Sequence, residues 1–488
     1  FNSMEDENIV QAIPNSQSSE WMERNIPLFE CPDADMEQMY YYRWWTLRKH
    51  IKETPEGYGM TEFLVQRSYA DKYNLISCAL GHHITESRWL RDPRYLDGIL
   101  LTWYRGNEGA PMARMMNFSS WNPYAVYGRF LADGDSSAIR DLYPDLRAEY
   151  LRWEDKHRLA SGLYWQRDVA DGMEESISGA RKQHHARPSI NSYMYGNAKA
   201  LALMAGMLGH KEDSILFTAK ALELKELVKE RLWNSEREFF ETLKGDTLAR
   251  AREAIGFIPW YFNLPDSAKY GRAWLQVEDE KGFSAPYGLT TAERRHPEFR
   301  SHGVGRCEWD GAVWPFATSQ TLTALANYLA SESNPTVSKS AFFRHMKLYV
   351  EASHHRGRPY IGEYLDEKTG YWLKGDQERS RYYNHSTFND LVITGLAGLR
   401  PRADNTIELN PLVPEGTWDW FCLDNIPYHG HNLTVLWDRD GSRYHQGKGL
   451  RVLVDGMCAG HADTLGRLLL PDALAPEKMK SGNDRAKE

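Results

Sequence analysis

Residues 190–232 read INSYMYGNAKALALMAGMLGHKEDSILFTAKALELKELVKERL. Apolar side chains recur in this stretch at intervals of three and four, as at Leu201, Met204 and Leu208, which is the spacing of one face of an α-helix. Only the dipeptide Gly209-His210 separates the first helical pattern from the second. Helices joined by so short a connection pack side by side in opposite directions. The stretch therefore predicts a helical hairpin as the unit of the fold.

The same organisation extends over most of the chain. No glycine-rich loop follows a strand, and strands do not alternate with helices, so the pattern argues against a doubly wound nucleotide-binding fold. The long connections 162–188 and 359–383 are rich in Gly, His, Tyr and charge, and long ordered loops in a compact domain are usually functional. About eleven helices are predicted, over residues 35–50, 83–104, 120–131, 137–158, 190–208, 211–232, 251–262, 267–275, 312–330, 337–353 and 384–399.

The two ends of the chain differ from its middle. After residue 401, short runs rich in β-forming residues, such as 432–437 and 449–454, alternate with Asp-Gly turn signals, which predicts a small antiparallel sheet. The predicted organisation is an N-terminal arm over residues 1–30, a helical catalytic domain over 31–400, a β-rich domain over 401–460 and a charged tail over 461–488.

The composition indicates a globular protein that binds neither nucleic acid nor membrane. Of the 488 residues, 42% are hydrophobic and 26% charged, and a net charge of −8 offers no basic stripe for a nucleic acid. No run reaches the roughly 18 apolar residues that a membrane-spanning helix needs. The five cysteines include no CxxC pair, so neither a structural zinc site nor a redox centre is predicted. No cofactor is expected, the oligomeric state stays open, and a periplasmic or secreted location is slightly favoured over a cytoplasmic one.

The aromatic residues point to a carbohydrate ligand. The chain has 17 Trp and 27 Tyr, whose flat apolar faces and polar edges match the C–H faces and hydroxyl rims of sugars. A large aromatic core is the alternative explanation. Hydrolysis of a glycosidic bond needs two carboxyl groups, one to protonate the leaving oxygen and one to activate water or to attack directly. Such a pair is expected in loops that are rich in glycine and aromatic residues.

One loop of this kind covers residues 164–179 and contains Asp168, Asp171, Glu174 and Glu175. These four acids lie between the end of one predicted helix and the start of the next. An acidic surface loop is the competing interpretation, and the spacing alone does not choose between the two.

A second loop, 360–372, reads YIGEYLDEKTGYW and places Glu363 among glycine and aromatic residues, including Tyr364 and Trp372. A carboxylate in this setting is a plausible base beside a platform for a sugar. The alternative is a simple turn with the tripeptide 368–370 as its tip.

Two further features are candidate ligand sites. Trp309 and Trp314 precede a predicted helix and either line a sugar subsite or are buried at an ordinary helix start. The pairs His82-His83 and His184-His185 suggest metal ligands, but the side chains of adjacent residues usually diverge and no third ligand follows from the spacing. No metal site is therefore predicted.

Five segments in a fixed order resemble the six-hairpin toroid glycosidases related to processing α-glucosidase I, trehalase and mannosylglycerate hydrolase. The resemblance covers about residues 30 to 400 and rests on the order and spacing of the segments. It implies a mainly α fold, an (α/α)6 toroid with a small C-terminal antiparallel β domain, and the activity of a glycosidase. The segments are DGMEES (171–176), SINSYMY (189–195), EAIGFIP (253–259), WDGAVWP (309–315) and GEYLDEKTG (362–370).

The resemblance also implies the roles of individual residues. The general acid of the family falls on Glu174, where relatives usually carry Asp, and the general base falls on Glu363. Asp171 replaces the family's Ser, so it is either a second candidate for the acid or a partner that shifts the pKa of Glu174. Asp310 stands where relatives carry Arg, which affects the expected substrate more than the reaction. The implied reaction is an inverting, exo-acting hydrolysis that removes a terminal sugar. The expected substrate contacts are Trp165, Trp309, Asp310, Trp314, Tyr364, Trp372, Asn191 and Arg181.

Three other functions remain open at this point. A sugar epimerase on the same toroid would use His184, His185 or His385 for proton transfer. A polysaccharide lyase would need an arginine such as Arg181 or Arg187 to neutralise a uronate. A non-catalytic carbohydrate-binding protein would keep the aromatic walls. Neither the epimerase nor the lyase accounts for the loop around Glu363.

Overall fold

The computed structural model describes residues 1–302 and 306–475. Within these ranges the chain forms twelve α-helices. Asp33 and Asp92 cap the helices that follow them, and Pro188 opens another at its first position. The helices are α1 (Ser18–Asn25), α2 (Ala34–His50), α3 (Leu80–Ser87), α4 (Pro93–Arg105), α5 (Asn122–Asp133), α6 (Ser137–His157), α7 (Pro188–Leu208), α8 (Lys211–Arg231), α9 (Ile258–Tyr261), α10 (Pro315–Ser331), α11 (Lys339–Ala352) and α12 (Phe388–Leu391).

Six of these helices form a closed inner ring. Each of α3, α5, α7, α9, α10 and α12 contacts the next, and α12 contacts α3 to close the ring. Outer helices pack on the inner ones: α4 on α3, α6 on α5, α8 on α7, and α11 on α10. In place of the α-helix predicted over 267–275, a 3₁₀ helix, Ala268–Val277, follows α9. Helix α2 packs on α12 and completes the sixth hairpin, so the predicted mainly α (α/α)6 toroid is confirmed.

The long loops collect at one end of the toroid. Each inner helix begins after a long connection, whereas shorter connections such as 209–210 lead from an inner helix to its outer partner. The inner helices therefore run in the same direction and present their N-terminal ends to the same side. There His83 Nε2, near the start of α3, lies 2.7 Å from the backbone oxygen of Asn384, just before α12. The loops 158–187 and 353–387, which hold the predicted acids, thus lie at the same end.

The predicted continuous helix 83–104 is wrong. Helix α3 ends at Ser87 and α4 begins at Pro93. A proline ring disfavours the helical conformation of the residue before it, and Asp92 is extended and caps α4 instead. The break turns one long predicted helix into the two arms of a hairpin.

Two further predicted helices are shorter than expected. In 251–262, Glu253 is held extended by a β-bridge, so only the 3₁₀ turn Ala254–Phe257 and the single turn of α9 are helical. In 384–399, α12 continues as the π-helix Val392–Leu396. Both are one-turn members of the inner ring, and the long loops before them supply residues to the loop end of the toroid.

A small antiparallel β domain follows the toroid, as predicted. The strands of all the described residues, in chain order and including those in the loops of the toroid, are β1 (Leu28–Glu30), β2 (Ile51–Thr54), β3 (Gly57–Met60), β4 (Trp233–Asn234), β5 (Phe239–Phe240), β6 (Leu243–Lys244), β7 (Thr247–Leu248), β8 (Ser284–Ala285), β9 (Gly288–Leu289), β10 (His354–His355), β11 (Arg358–Pro359), β12 (Ile407–Leu409), β13 (Trp420–Tyr428), β14 (His431–Asp438), β15 (Gly449–Val454), β16 (Met457–Ala462) and β17 (Leu468–Leu470). Five of them form one antiparallel sheet in the order β1–β13–β14–β15–β16.

The two ends of the chain contribute to this domain. Strand β1, within the predicted N-terminal arm, pairs with β13, and α1 lies just before it. Strand β17, within the predicted tail, pairs with β12, and residues 476–488 of that tail lie outside the described residues. One continuous hydrophobic core joins the toroid to the sheet. Across the described ranges, none of the helices has both the length and the apolar character needed to cross a membrane.

Candidate active site

Two distant loops bring Glu174 and Glu363 together at the loop end of the toroid. Glu174 lies between α6 and α7, and Glu363 lies between α11 and α12. The charge of Glu363 raises the pKa of Glu174, so the two carboxyl groups share one electrostatic environment. The thiol of Cys307 lies close enough to both that each raises its pKa. The loop before α10 therefore borders the same site.

Glu174 is buried in a loop that is tied to the loop before α10. Its backbone oxygen accepts a hydrogen bond of 3.4 Å from the backbone N–H of Trp309, which ties two loops together. Burial raises the pKa of Glu174 to about 7; the charges of Asp168 and Glu363 act in the same direction, and Arg181 opposes them. A carboxyl group with a pKa near neutrality retains a substantial protonated fraction at pH 7, as a general acid requires.

Glu363 differs from Glu174 in that two cations bind its carboxyl group. Its side chain is buried, and Oε2 accepts a hydrogen bond of 2.9 Å from Lys374 Nζ. Oε1 accepts a bond of 2.9 Å from Arg379 Nε and a second from Nη2 of the same guanidinium. Its backbone N–H donates to Ser380 Oγ over 3.4 Å. Two cations thus fix the position of the Glu363 carboxyl group.

Asp171 is fully engaged by the protein. It is buried and pairs with Arg187 Nε at 2.8 Å, while Ser119 Oγ donates to it at 2.6 Å and Ser189 Oγ donates to the other oxygen. These contacts attach the loop of Glu174 to the start of α7. Both oxygens of the Asp171 carboxylate are therefore occupied by side chains of the protein. Arg187 is equally occupied.

Three aromatic side chains form a stack beside the two glutamates. The rings of Trp309 and Trp314 are 4.7 Å apart and those of Trp314 and Tyr364 also 4.7 Å, with interplanar angles of 24° and 15°. The Tyr364 hydroxyl donates to the backbone oxygen of Arg306, and Lys374 Nζ lies 5.0 Å from the Tyr364 ring. The stack therefore extends from the loop before α10 to Lys374, the cation that binds the carboxylate of Glu363.

Other expected contacts surround this centre. Trp165 is partly exposed and stacks on His184 at 3.5 Å. Asp310 is buried and accepts two hydrogen bonds of 2.9 Å from His302. Arg181 pairs with Glu175 at 2.7 Å, and its charge reaches Glu174. Trp165 and Arg181 thus lie on the loop that carries the proposed acid.

Asn191 and Trp372 bind the protein itself. The Asn191 amide bonds both the N–H and the C=O of Tyr164, at 2.7 and 2.8 Å. Trp372 Nε1 donates to the backbone oxygens of Ala352 and His354. Their polar atoms hold loops in place, and no free polar edge is left for a substrate.

The histidines are placed as packing residues. His82, His83 and His385 are buried, and burial lowers the pKa of His83 to about 4 and those of His82 and His385 well below the usual value. His82 packs on aromatic rings while His83 bonds a backbone oxygen, so the pair diverges. His185 bonds the backbone oxygen of Ser178, whereas its neighbour stacks on Trp165. Neither histidine pair converges on a common point.

Glu62 was not anticipated from the sequence. It follows β3, is buried, and accepts a hydrogen bond from the hydroxyl of Tyr383. Burial raises its pKa to about 8, the charges of Glu363 and Glu174 raise it too, and the bond from Tyr383 opposes them. The sequence around Glu62 carries no recognisable motif. Glu62 reaches the site only because its segment pairs with the residues before α12, which are distant in the sequence.

Two family models match the chain. The model of the mannosylglycerate hydrolase MGH1-like glycoside hydrolase domain matches residues 72–386, and that of the C-terminal domain of glycosyl hydrolase family 65 matches residues 399–457. The first spans the toroid from α3 to α11 with both glutamate loops, and the second covers most of the C-terminal sheet. The resemblance to mannosylglycerate hydrolase that the motifs indicated is confirmed.

Solved structures share the fold. A structure named sialidase is 68% identical, with a TM-score of 0.95, over 96% of this chain and 44% of that one. The mannosylglycerate hydrolase of Thermus thermophilus, in complex with glucose, is 14% identical, with a TM-score of 0.55, over 73% of this chain and 98% of that one. A curated protein of Borreliella burgdorferi is 22% identical over 199 residues, 40% of each chain. The chain thus spans less than half of the sialidase and of the Borreliella protein.

Proposed function

The chain belongs to the mannosylglycerate hydrolase MGH1-like glycoside hydrolase family, and from this premise we propose that it is an exo-acting, inverting glycosidase with Glu174 as general acid and Glu363 as general base. The observation that carries the proposal is the contrast between these two carboxyl groups in one site. Burial keeps Glu174 partly protonated near neutrality, whereas both oxygens of Glu363 are bound by the cations Lys374 and Arg379. Opposed environments of this kind separate the acid from the base.

The proposed reaction is a single displacement. Glu174 donates its proton to the glycosidic oxygen as the bond from that oxygen to the anomeric carbon breaks. A water molecule attacks the anomeric carbon from the opposite face and transfers a proton to Glu363. A carboxylate has about four acceptor positions, and the bonds from Lys374 and Arg379 occupy three of them. One position on Glu363 is left for the attacking water.

Sialic acid is the proposed terminal sugar. The 68% identity to a structure named sialidase supports it, and so does a cation beside the site. Arg67 lies 5.4 Å from the rings of both Phe63 and Tyr69. It forms no ion pair within residues 1–302 and 306–475, whereas Arg379 is neutralised by Glu363. An unpaired guanidinium suits the carboxylate that distinguishes sialic acid from neutral sugars.

The test compares hydrolysis of an aryl α-sialoside with that of neutral aryl glycosides by wild type, Glu174→Gln and Glu363→Gln. Glu175→Gln is the matched control, since Glu175 adjoins Glu174 and pairs with Arg181 instead of entering the reaction. We expect the sialoside to be cleaved, the two site variants to lose at least about a thousandfold in kcat, and the control to stay near wild type. Full activity of folded Glu363→Gln would refute the base, and sugar binding without turnover would favour a binding protein.

A further inference from the structure

Glu62 lies beside the residues that precede α12 and close to Arg379, which binds Glu363. The backbone N–H of Asn384 donates to the backbone oxygen of Glu62 over 3.0 Å, so the segment after β3 runs beside the residues that precede α12. The hydroxyl of Tyr383 donates to Oε1 of Glu62. The neighbouring residue, Phe63, packs on Tyr383 at 4.4 Å and lies 5.5 Å from the guanidinium of Arg379. That guanidinium in turn holds Glu363. Glu62 is therefore connected to the proposed base through a short chain of contacts.

The second oxygen of Glu62 is free. Oε2 is buried and has no hydrogen-bond partner in the part of the chain that the structure describes. A buried carboxyl oxygen without a partner is costly unless the group is neutral or a ligand completes its bonding. Because Oε1 already accepts from Tyr383, Oε2 is the atom that can face a ligand. The surrounding protein groups make that ligand the substrate, since the charges of Glu363 and Glu174 both reach Glu62.

We propose that Glu62 is a third carboxyl group of the active site, which binds the terminal sugar through a hydrogen bond that its protonated Oε2 donates. This inference rests on the proposed function and adds a substrate-binding residue to it. No bond is made or broken at Glu62: the neutral acid accepts from Tyr383 at Oε1 and donates from Oε2 to a hydroxyl or carboxylate oxygen of the sugar.

The charged groups around Glu62 favour the neutral form. Glu363 and Glu174 repel a third negative charge, and the positive charge of Arg379 opposes them less strongly. Tyr69 and Cys78 also face it, since the charge of Glu62 raises the pKa of each. Together with burial these groups raise the pKa of Glu62 to about 8. The donor is therefore present at neutral pH and lost above about pH 8.

The experiment uses two substitutions with opposite expectations. Glu62→Gln keeps an oxygen that accepts from Tyr383 and supplies an uncharged N–H donor, so we expect kcat/KM for an aryl α-sialoside at pH 7 within about threefold of wild type. Glu62→Ala removes the donor and should lower kcat/KM about tenfold or more, the value of one good hydrogen bond. Above pH 8, log kcat/KM should fall about one unit further in wild type than in Glu62→Gln, because wild type loses the Glu62 donor in addition to the acid form of Glu174.

Glu149→Gln is the matched control. Glu149 is likewise buried and accepts a bond of 2.6 Å from a tyrosine hydroxyl, that of Tyr104, but it lies in α6 and its partner lies in α4. Its replacement should leave this additional alkaline decline as large as in wild type. A Glu62→Gln variant as inactive as Glu363→Gln would overturn the proposal, because Glu62 would then act as an ionised base. Wild-type kinetics in folded Glu62→Ala would also overturn it.

Failure of the proposed function gives a different result. If wild type cleaves no glycoside, calorimetric binding of N-acetylneuraminic acid still tests Glu62. Binding that is about tenfold weaker in Glu62→Ala at pH 7, and weaker in wild type at pH 9 than at pH 7, supports the proposal. Equal affinity of the wild type and Glu62→Ala, or no binding by either, overturns it.

Discussion

Arg379 donates from Nε to Oε1 of Glu363 over 2.9 Å, and a second nitrogen of the same guanidinium reaches the same oxygen. Replacing Arg379 by Leu should lower kcat about tenfold to a hundredfold, because the proposed base then keeps only its bond from Lys374 and loses its orientation. The measurement is kcat with an aryl α-sialoside. Arg381→Leu is the control, since Arg381 pairs with Glu5 instead. Equal losses in the two variants would show that the effect is not specific to Glu363.

The pH profile tests Glu174. Its pKa of about 7 means that the acid form declines as the pH rises through 7, so kcat/KM should fall on the alkaline side. Glu174→Gln should lose this decline and recover most activity on a substrate whose leaving group needs no proton, such as a dinitrophenyl sialoside. The rates are followed by absorbance of the released phenol. An alkaline decline through pH 7 that persists in Glu174→Gln would assign it to another group.

Asp171 and Glu174 are distinguished by stability. Asp171→Asn removes a charge from a buried ion pair with Arg187, and we expect a loss of about 3 kcal/mol in the free energy of unfolding. The folded fraction should still cleave the sialoside, with an alkaline decline near pH 7 as in wild type. Denaturant unfolding and a pH profile provide the two measurements. A stable but inactive Asp171→Asn would make Asp171 the acid.

Arg67 tests the substrate class. Arg67→Gln should lower kcat/KM for a sialoside by about tenfold to a hundredfold, since a charge-assisted bond to the sugar carboxylate is lost. For Arg67→Lys, kcat/KM should fall less, because the positive charge remains while the planar arrangement of guanidinium donors is lost. Competition by free sialic acid measures the same contact independently of turnover. An unchanged inhibition constant in Arg67→Gln would mean that another group binds the carboxylate.

The raised pKa of Glu62 also makes a prediction about stability. A carboxyl group whose folded pKa lies above its unfolded value stabilises the fold at low pH, and this contribution is lost as the pH rises from about 4.5 to about 8. Glu62→Gln removes that loss. Its melting temperature should therefore fall less than that of wild type between pH 5 and pH 9. Parallel melting curves in the two proteins would show that Glu62 is not buried as a neutral acid.

The helical hairpins were predictable because their apolar spacing is a local property. The break at Pro93 was missed because the apolar spacing on both sides continues across it, although the proline itself marks the boundary. The glutamate loops were recognised from motif order. Glu62 and Arg67 could not be found in this way, because a hydrogen bond between Glu62 and Asn384, more than three hundred positions apart, brings their segment to the site. The contacts by which Asn191 and Trp372 hold loops in place could likewise not be predicted from the spacing of residues in the sequence.

The configuration of the sugar at the moment of release tests the central claim most directly. Wild type at high concentration is mixed with an aryl α-sialoside, and proton NMR spectra are recorded before the free sugar can equilibrate. A single displacement by water with Glu174 and Glu363 predicts that the β-anomer appears first. Initial release of the α-anomer, followed by slow conversion to β, would contradict the account, because it requires a covalent intermediate and a nucleophile in place of the base.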